Sequence, residues 1–312
     1  MTANWDAVII GGGPAGLSAA VALGRSRRSV LVVDEGTPRN RFAAHMHGVL
    51  GHEGKAPSEL AAAGRAEAAL YGVEVREGRV DRVEERTGGG LVARLADGTT
   101  VGARGVVLAT GLADDLPDIP GLAERWGRSV LHCPFCHGWE VRERPLGVLA
   151  TSPLSLHQAF LLRQWTDDLT FFAAAAGELD DATLRRLAAR DVRVVTEPVV
   201  AVHGDDLDRI DTVELADGTR VAVDALFTGG TPRPLDGMLA PLGLDRVTGP
   251  MGDYLAVDPM THRTSHPRIV AAGNVTNPGV NVSMALGAGA MAGAQLTIAL
   301  VHDDFDRAEA AA

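Results

Sequence analysis

The apolar positions fall into short unbroken runs separated by glycine- and alanine-rich stretches. Val8-Ile9-Ile10 and Val30-Leu31-Val32-Val33-Asp34 read as buried parallel strands, since a strand covered on both faces needs no polar alternation. Between them, Pro14 to about Arg25 reads as a helix with proline at an early position. Pro57 to Leu70 reads as an alanine-rich amphipathic helix, and Val73–Val75 and Arg79–Val83 are strand-like. Leu91–Ala96 and Thr99–Ala103 form a hairpin about Asp97-Gly98. Val106–Gly111 is a buried strand ending in a small-residue turn. Asn40 to Gly54 has few apolar positions and reads as a loop carrying Arg41, His45, His47 and His52.

The pattern then repeats. "LADGT" occurs at Leu95–Thr99 and at Leu215–Thr219, and each copy leads into an apolar run ending in glycine, Val106–Gly111 and Ala225–Gly230. The chain therefore holds two related α/β units, the second starting near Leu146 with a strand, a helix over Leu154–Trp165 and a strand over Leu169–Phe172. Ile269–Asn274 returns to the first unit as a strand and turn. Val282 to Val301 is uncharged and long enough to span a bilayer, and Gly289 and Gly293 match a membrane-helix packing motif. Its Gly, Ala, Ser and Gln content instead predicts a buried helix packed closely on a cofactor domain, and no membrane is expected as a partner.

The first unit carries a dinucleotide fingerprint. Gly11, Gly13 and Gly16, with Pro14 and Ala15 between, give G-x-G-x-x-G at a strand-to-helix turn. Such glycines let the backbone approach a pyrophosphate at the helix N-terminus. An acid ending the second strand accepts from ribose hydroxyls, a role that falls to Asp34 with Glu35 as fallback. Thr110-Gly111 and Gly273-Asn274 end later strands where a cofactor approaches, and Arg41 and His45 are candidates from the loop. The second unit lacks these signals. Its first turn is Ala150-Thr151-Ser152-Pro153, and Ala173–Ala176 follows the next strand with neither an acid nor an arginine pair. A nicotinamide site there is expected to be lost.

With 312 residues, 46% of them hydrophobic, the chain can bury sizeable cores, and a formal net charge of -11 argues against nucleic acid or anionic membrane as the main partner. Both cysteines lie in His132-Cys133-Pro134-Phe135-Cys136-His137. Two cysteines at this spacing can close a small disulfide, and their thiolate form is nucleophilic. Flanking histidines supply a proton acceptor near neutral pH. Attachment of c-type haem is disfavoured because no charged-then-apolar leader opens the sequence. Zinc is disfavoured because no second cysteine pair exists, so no metal is expected. A structural disulfide is rare in the reducing cytoplasm, the expected location. A redox dithiol served by a flavin is the reading that remains.

The order of "GGGPAG", an acid-ended second strand, "ATG", C-x-x-C in the second unit and "AAGN" before a Gly/Ala-rich helix resembles the low-molecular-weight thioredoxin reductase family over essentially the whole chain. The resemblance implies an α/β protein of two Rossmann-like, three-layer dinucleotide-binding domains, the second inserted in the first. Expected boundaries are 1–115 with 244–312 for the FAD domain and 116–243 for the dithiol domain. It implies FAD, a homodimer, Cys136 facing the flavin and Cys133 engaging substrate. The departures are the missing nicotinamide glycines and arginines, His137 in place of an acid, and Asn274 in place of Asp. They make the chain similar to the flavin-dependent dithiol oxidases of the gliotoxin and holomycin type. The expected reaction is oxidation of a small-molecule dithiol or a thioredoxin-like protein, with oxygen as acceptor and His137 as general base, His132 being the alternative. A thioredoxin-disulfide reductase using NADPH or another electron donor and a flavin-bound redox sensor with little turnover are the competing readings.

Overall fold

In the computed structural model, which describes residues 4–87 and 89–312, the apolar runs become the centres of two sheets. Strand β1 (Asn4–Ile10) pairs in parallel with β2 (Val30–Asp34), Val8 opposite Leu31, and α1 (Pro14–Arg25) makes the crossover that a parallel pair requires. Helix α2 (Pro57–Ala69) crosses to β3 (Glu74–Glu77), which adds in parallel beside β2. Strands β4 (Val80–Glu85), β5 (Leu91–Leu95) and β6 (Thr100–Leu108) form an antiparallel meander. The end of β6 runs parallel to β1, with Val106 opposite Val8. Strand β7 (Leu112–Asp115) leads the chain out of this unit.

The second unit is built on β8 (Val130–Leu131), the short helix α3 (Pro134–His137), β9 (Leu146–Leu149), α4 (Ser155–Leu162), β10 (Leu169–Phe172), α5 (Asp181–Ala188) and β11 (Arg193–Val195). An antiparallel sheet of β12 (Val199–His203), β13 (Thr212–Leu215) and β14 (Arg220–Ala222) precedes β15 (Ala225–Thr228). The main sheet is parallel throughout, in the order β11-β10-β9-β15-β8, and Phe171, Phe172 and Phe227 are fully buried on it. The chain returns through β16 (Thr231–Pro234) to a hairpin of β17 (Arg246–Gly249) and β18 (Gly252–Leu255). Strand β19 (Ile269–Ala271) then pairs with β6, and α6 (Val282–Ala310) follows.

The fold is thus mixed α/β with two Rossmann-like units, the second inserted in the first. Its boundaries depart from the expected ones in three places, the smallest at residues 114–115, which fall in the second unit. Residues 232–243 belong to the first unit, because Leu239 is buried in the core that contains β4. Residues 42–55 belong to the second unit, where the backbone of Gly127 lies so close to Phe42 that an added Cβ would meet Phe42 Cβ at 2.6 Å.

The repeated pentapeptide makes the same turn in each unit. Leu95 N donates to Thr99 O at 2.9 Å, as Leu215 N does to Thr219 O. Asp97 Oδ1 accepts from Thr99 N at 2.8 Å, as Asp217 Oδ1 does from Thr219 N. Gly98 and Gly218 supply the left-handed residue, at φ 84° and 85°.

Helix α6 owes its small residues to α1. A Cβ on Gly289 would overlap the Ala15 carbonyl, and one on Gly293 would meet Ala19 O at 2.7 Å. Ser18 Oγ donates to Leu286 O at 2.7 Å across the same contact. Among the described residues α6 is the one helix long and apolar enough to cross a membrane, but its GxxxG pair is spent on this packing. The helix is buried on one face only. Met284, Met291, Ile298 and Phe305 are exposed along it at seven-residue intervals.

Two identical chemical changes should therefore have opposite signs. Gly287 faces open space and Gly289 does not. Gly287→Ala should stabilise by about 0.5–1 kcal/mol through helix propensity. Gly289→Ala should destabilise by about 1–3 kcal/mol through overpacking. Thermal unfolding of the two variants checks this.

Candidate active site

In the first unit, two of the three fingerprint glycines are demanded by contact. Gly11 adopts φ +102° where the chain leaves β1, its N–H donates to Val33 O at 2.8 Å, and a Cβ there would meet Ala109 O at 2.5 Å. A Cβ on Gly16 would overlap the Gly11 carbonyl, so this glycine lets α1 close onto the strand. Gly13 is different: nothing lies within 4 Å of its Cβ position. It is the N-cap of α1, without a side-chain cap, and Pro14 follows. The first-turn N–H groups have no partner within the helix and face the open side, together with the positive dipole end. That is a phosphate cradle.

Asp34 ends β2 buried beside this cradle. Its Oδ1 accepts from Gly12 N at 3.0 Å and Gly36 N at 3.3 Å, and Oδ2 accepts from Arg65 at 2.5 Å. Glu35 is exposed. Arg65, on α2, escapes sequence reading because one arginine on an amphipathic helix carries no motif. The Thr110 hydroxyl oxygen is buried with no hydrogen-bond partner among the described residues, a demand that buried polar groups normally have met. Gly111 beside it (φ +72°) has nothing within 4 Å of its Cβ position. Gly273 (φ +85°) brings the turn after β19 against Ala15. Gly11, Gly13, Pro14, Ala15, Gly16, Asp34, Thr110, Gly111 and Gly273 therefore suit FAD, with an open helix N-terminus, an anchored acid and an unmet hydroxyl.

Three further candidates make hydrogen bonds within their own segments. Asn274 Nδ2 lies within hydrogen-bonding distance of the carbonyls of Asn277 (3.2 Å), Pro278 (3.1 Å) and Val280 (2.9 Å). It holds the turn that leads to Asn281, which caps α6 by accepting from Met284 N at 3.0 Å. Arg41 turns back on its own segment and donates to Pro38 O at 3.0 Å. His45 Nδ1 donates to Gly54 O at 3.0 Å within the second unit's loop.

In the second unit, the cysteines sit at the carboxyl end of edge strand β8. Cys133 and Cys136 are joined as a disulfide with Cα atoms 5.2 Å apart. Cys133 caps the four-residue helix α3, Cys136 N donating to Cys133 O at 3.1 Å and His137 N to the same oxygen at 3.2 Å. His132 ties this helix to the sheet: its Nδ1 donates to Thr228 O at 3.3 Å, and Gln158 Nε2 donates to His132 O at 2.6 Å. Gly138 is required by Trp165, whose ring would lie 2.9 Å from an added Cβ. Phe135 and Trp139 stand exposed on either side of Cys136.

His137 faces the interior of the unit. Its Nδ1 is buried with no hydrogen-bond partner among the described residues. Burial pushes the proton affinity of the ring below the ordinary 6.5, Glu140 works the other way, and His47 lowers it further. The rings of His47 and His137 meet edge to face with centroids 6.3 Å apart. Sequence reading passed over His47 in favour of its neighbour His45, because the partner that distinguishes them is far away in the chain.

The corresponding turn of this unit makes side-chain contacts of its own. Thr151 Oγ1 donates to Gly229 O at 2.8 Å, and Thr151 N donates to Ser155 Oγ at 3.1 Å. Pro153 lies 3.7 Å from the Cβ position of Gly177. Ala173 and Ala176 are buried in the core. No group of three or more His, Cys, Asp or Glu side chains among the described residues could hold a metal ion.

A dinucleotide cradle in one Rossmann unit and a cysteine pair in the other define a flavin-dependent disulfide oxidoreductase. The chain belongs to the pyridine nucleotide-disulphide oxidoreductase family, which it matches over residues 5–298. It is 35% identical to thioredoxin reductase tcpT of Claviceps purpurea (strain 20.1), covering 96% of this chain and 95% of that protein. Its structure is similar to that of HlmI, with 44% identity, a TM-score of 0.93 and coverage of 100% and 98%. An oxidoreductase from Agrobacterium tumefaciens gives 40% identity and a TM-score of 0.89, with coverage of 97% and 99%. The chain is accordingly a FAD-dependent, thioredoxin reductase-like enzyme.

Replacing Asp34 by Ala strands the buried Gly12 amide and removes the partner of Arg65. Losing a buried acceptor should destabilise the fold by about 1–3 kcal/mol, and with the cradle turn loosened the variant should retain less flavin than the parent. Flavin content per protein after gel filtration measures this.

Proposed function

We propose that this enzyme oxidises a dithiol to a disulfide through Cys133–Cys136 and FAD, with oxygen as the final acceptor. The observation that carries the reading is the first turn of the second unit, with its own side-chain contacts. Where a nicotinamide dinucleotide needs glycines, an open turn and an acid, the chain has Thr151 bonded to Gly229, Pro153 against Gly177 and two buried alanines. Electrons are therefore supplied by thiols.

His137, neutral and half-buried beside the pair, accepts the proton of a substrate thiol. The thiolate attacks Cys133 Sγ, a bond forms between those sulfurs, and the Cys133–Cys136 bond breaks with its electron pair on Cys136. The second substrate thiol, deprotonated in turn, attacks the substrate sulfur of the mixed disulfide. The cyclic product leaves and Cys133 takes the electron pair. Bound FAD supplies the two-electron acceptor that restores the Cys133–Cys136 disulfide. The net change is one dithiol and one oxygen to one disulfide and one hydrogen peroxide. His132, engaged with Thr228 O, serves as a strut rather than a base.

The exposed Phe135 and Trp139 favour a compact apolar dithiol over a highly charged one as substrate, and a thioredoxin-like protein is the alternative partner. The name of tcpT favours a second reading, reduction of a protein disulfide with NADPH. A homodimer in the cytoplasm completes the proposal. The apolar stripe Met284, Met291, Ile298 and Phe305 on α6 supports the former, and the cysteine usage supports the latter.

Purified holoenzyme under air with a small dithiol should form disulfide and hydrogen peroxide one for one, and Cys133→Ser or Cys136→Ser should abolish both. Without oxygen, the dithiol should bleach the flavin and NADPH should not. Rapid bleaching by NADPH would falsify the oxidase reading in favour of the reductase. His137→Ala should slow dithiol oxidation by about 10²–10⁴-fold. Because its ring stays neutral below 6.5, the acid limb of the rate profile should lie below that pH.

A further inference from the structure

The loop of residues 42–55 is a closed structure with one side chain held against the dithiol helix. Met46 N donates to Lys55 O at 2.8 Å and Gly54 N donates to Met46 O at 2.9 Å, closing the loop on itself. Met46 and Val49 are buried and anchor it. Glu53, an exposed side chain, bridges the loop, Oε1 accepting from His47 Nδ1 at 2.6 Å and Oε2 from Gly48 N at 3.1 Å. The ring of His47 is thereby fixed on one side by a carboxylate. On the other side it stands edge to face against His137, with an interplanar angle of 82°.

Loop, carboxylate and ring contact are more than a connection between strands requires. We propose that His47, held by Glu53, is a positioning residue for His137, fixing its imidazole beside the cysteine pair and setting the pH range in which it accepts the thiol proton. The inference rests on His137 being the proton acceptor. His47 undergoes no net change. The proton passes from the substrate thiol to the His137 imidazole and from there to solvent.

The surroundings of His137 agree in direction. After burial, the two groups acting on it have opposite signs: Glu140, in the turn after α3, favours its charged form, and His47 disfavours it. Glu53 acts through His47, and Glu140 Oε1 also lies 3.6 Å from His47 Nδ1. Helix α4, packed against α3, brings one titratable side chain, His157, which is exposed.

The test is the pH profile of flavin bleaching by dithiothreitol in a single anaerobic turnover, using holoenzyme matched for flavin content. His47→Gln should move the acid limb upward by about 1 pH unit, a scale typical of a neighbouring charge. At a pH below both limbs it should therefore react about tenfold more slowly than the parent. Glu53→Gln should move the limb the same way by less. Glu140→Gln, an exposed position that leaves the loop closed, should move it downward. A merely structural role for His47 would lower the rate equally at every pH, and that result, or movement of His47→Gln and Glu140→Gln in the same direction, overturns the proposal. His137→Ala separates the two levels. Loss of the acid limb with loss of rate supports the base. Persistence of the limb in that variant removes the base reading itself, and the role of His47 with it.

Discussion

The first unit depends on α1 being held at backbone contact from two sides. Gly16 lets it lie on the Gly11 carbonyl at the end of β1, and Gly289 lets α6 lie on the Ala15 carbonyl from the other side. A helix held this tightly cannot tilt, so its N-terminus points where β1 and β2 dictate. The open space at Gly13 is the functional result of crowding at Gly11, Gly16 and Gly289. Asp34 adds an electrostatic fix by accepting from the turn itself, at Gly12. The same residues that pack the unit thus shape the cradle, which is why glycines and an acid meet at this turn.

The second unit solves the same topology with side chains. It has the parallel sheet, the crossover helix and the identical Asp-Gly turn, and here Thr151 Oγ1 donates to Gly229 O across two strand ends. The carboxyl edge of the same sheet supports the dithiol. His132 and Gln158 tie α3 to β15 and α4, so the pair is presented from rigid elements rather than from a mobile loop. Pre-organisation of this kind matters for a nucleophilic site, since reacting sulfurs must meet in line with little reorientation.

Much of this was legible in the chain. Val8–Ile10, the fingerprint and Asp34 are local signals, and each falls where strand, turn and helix periodicity place it. The two copies of LADGT announce the internal repeat because Asp and Gly fix one turn geometry wherever they occur. What escaped was long-range. His45 and His47 are indistinguishable by composition, and only the fold shows that one donates to Gly54 while the other meets His137, ninety positions on. Asn274 stands out in sequence only as a cofactor candidate, and the fold adds that its Nδ2 reaches three carbonyls of its own turn. The boundary at 232–243 was hidden because Leu239 is one leucine among many until it is found beneath β4.

Placing a neutral histidine in a half-buried site has a thermodynamic consequence that complements its chemistry. In the unfolded chain His137 titrates at its ordinary value, and in the folded one it titrates lower. Between the two values the unfolded state binds more protons, so stability rises with pH across that window and is lost as pH falls through it. Above 6.5 neither state is charged at this position and the burial is not opposed by ionisation. In the proposed reaction, the environment that readies His137 to accept a proton is therefore also the one that resists holding it, so the proton must pass to solvent before the next thiol arrives.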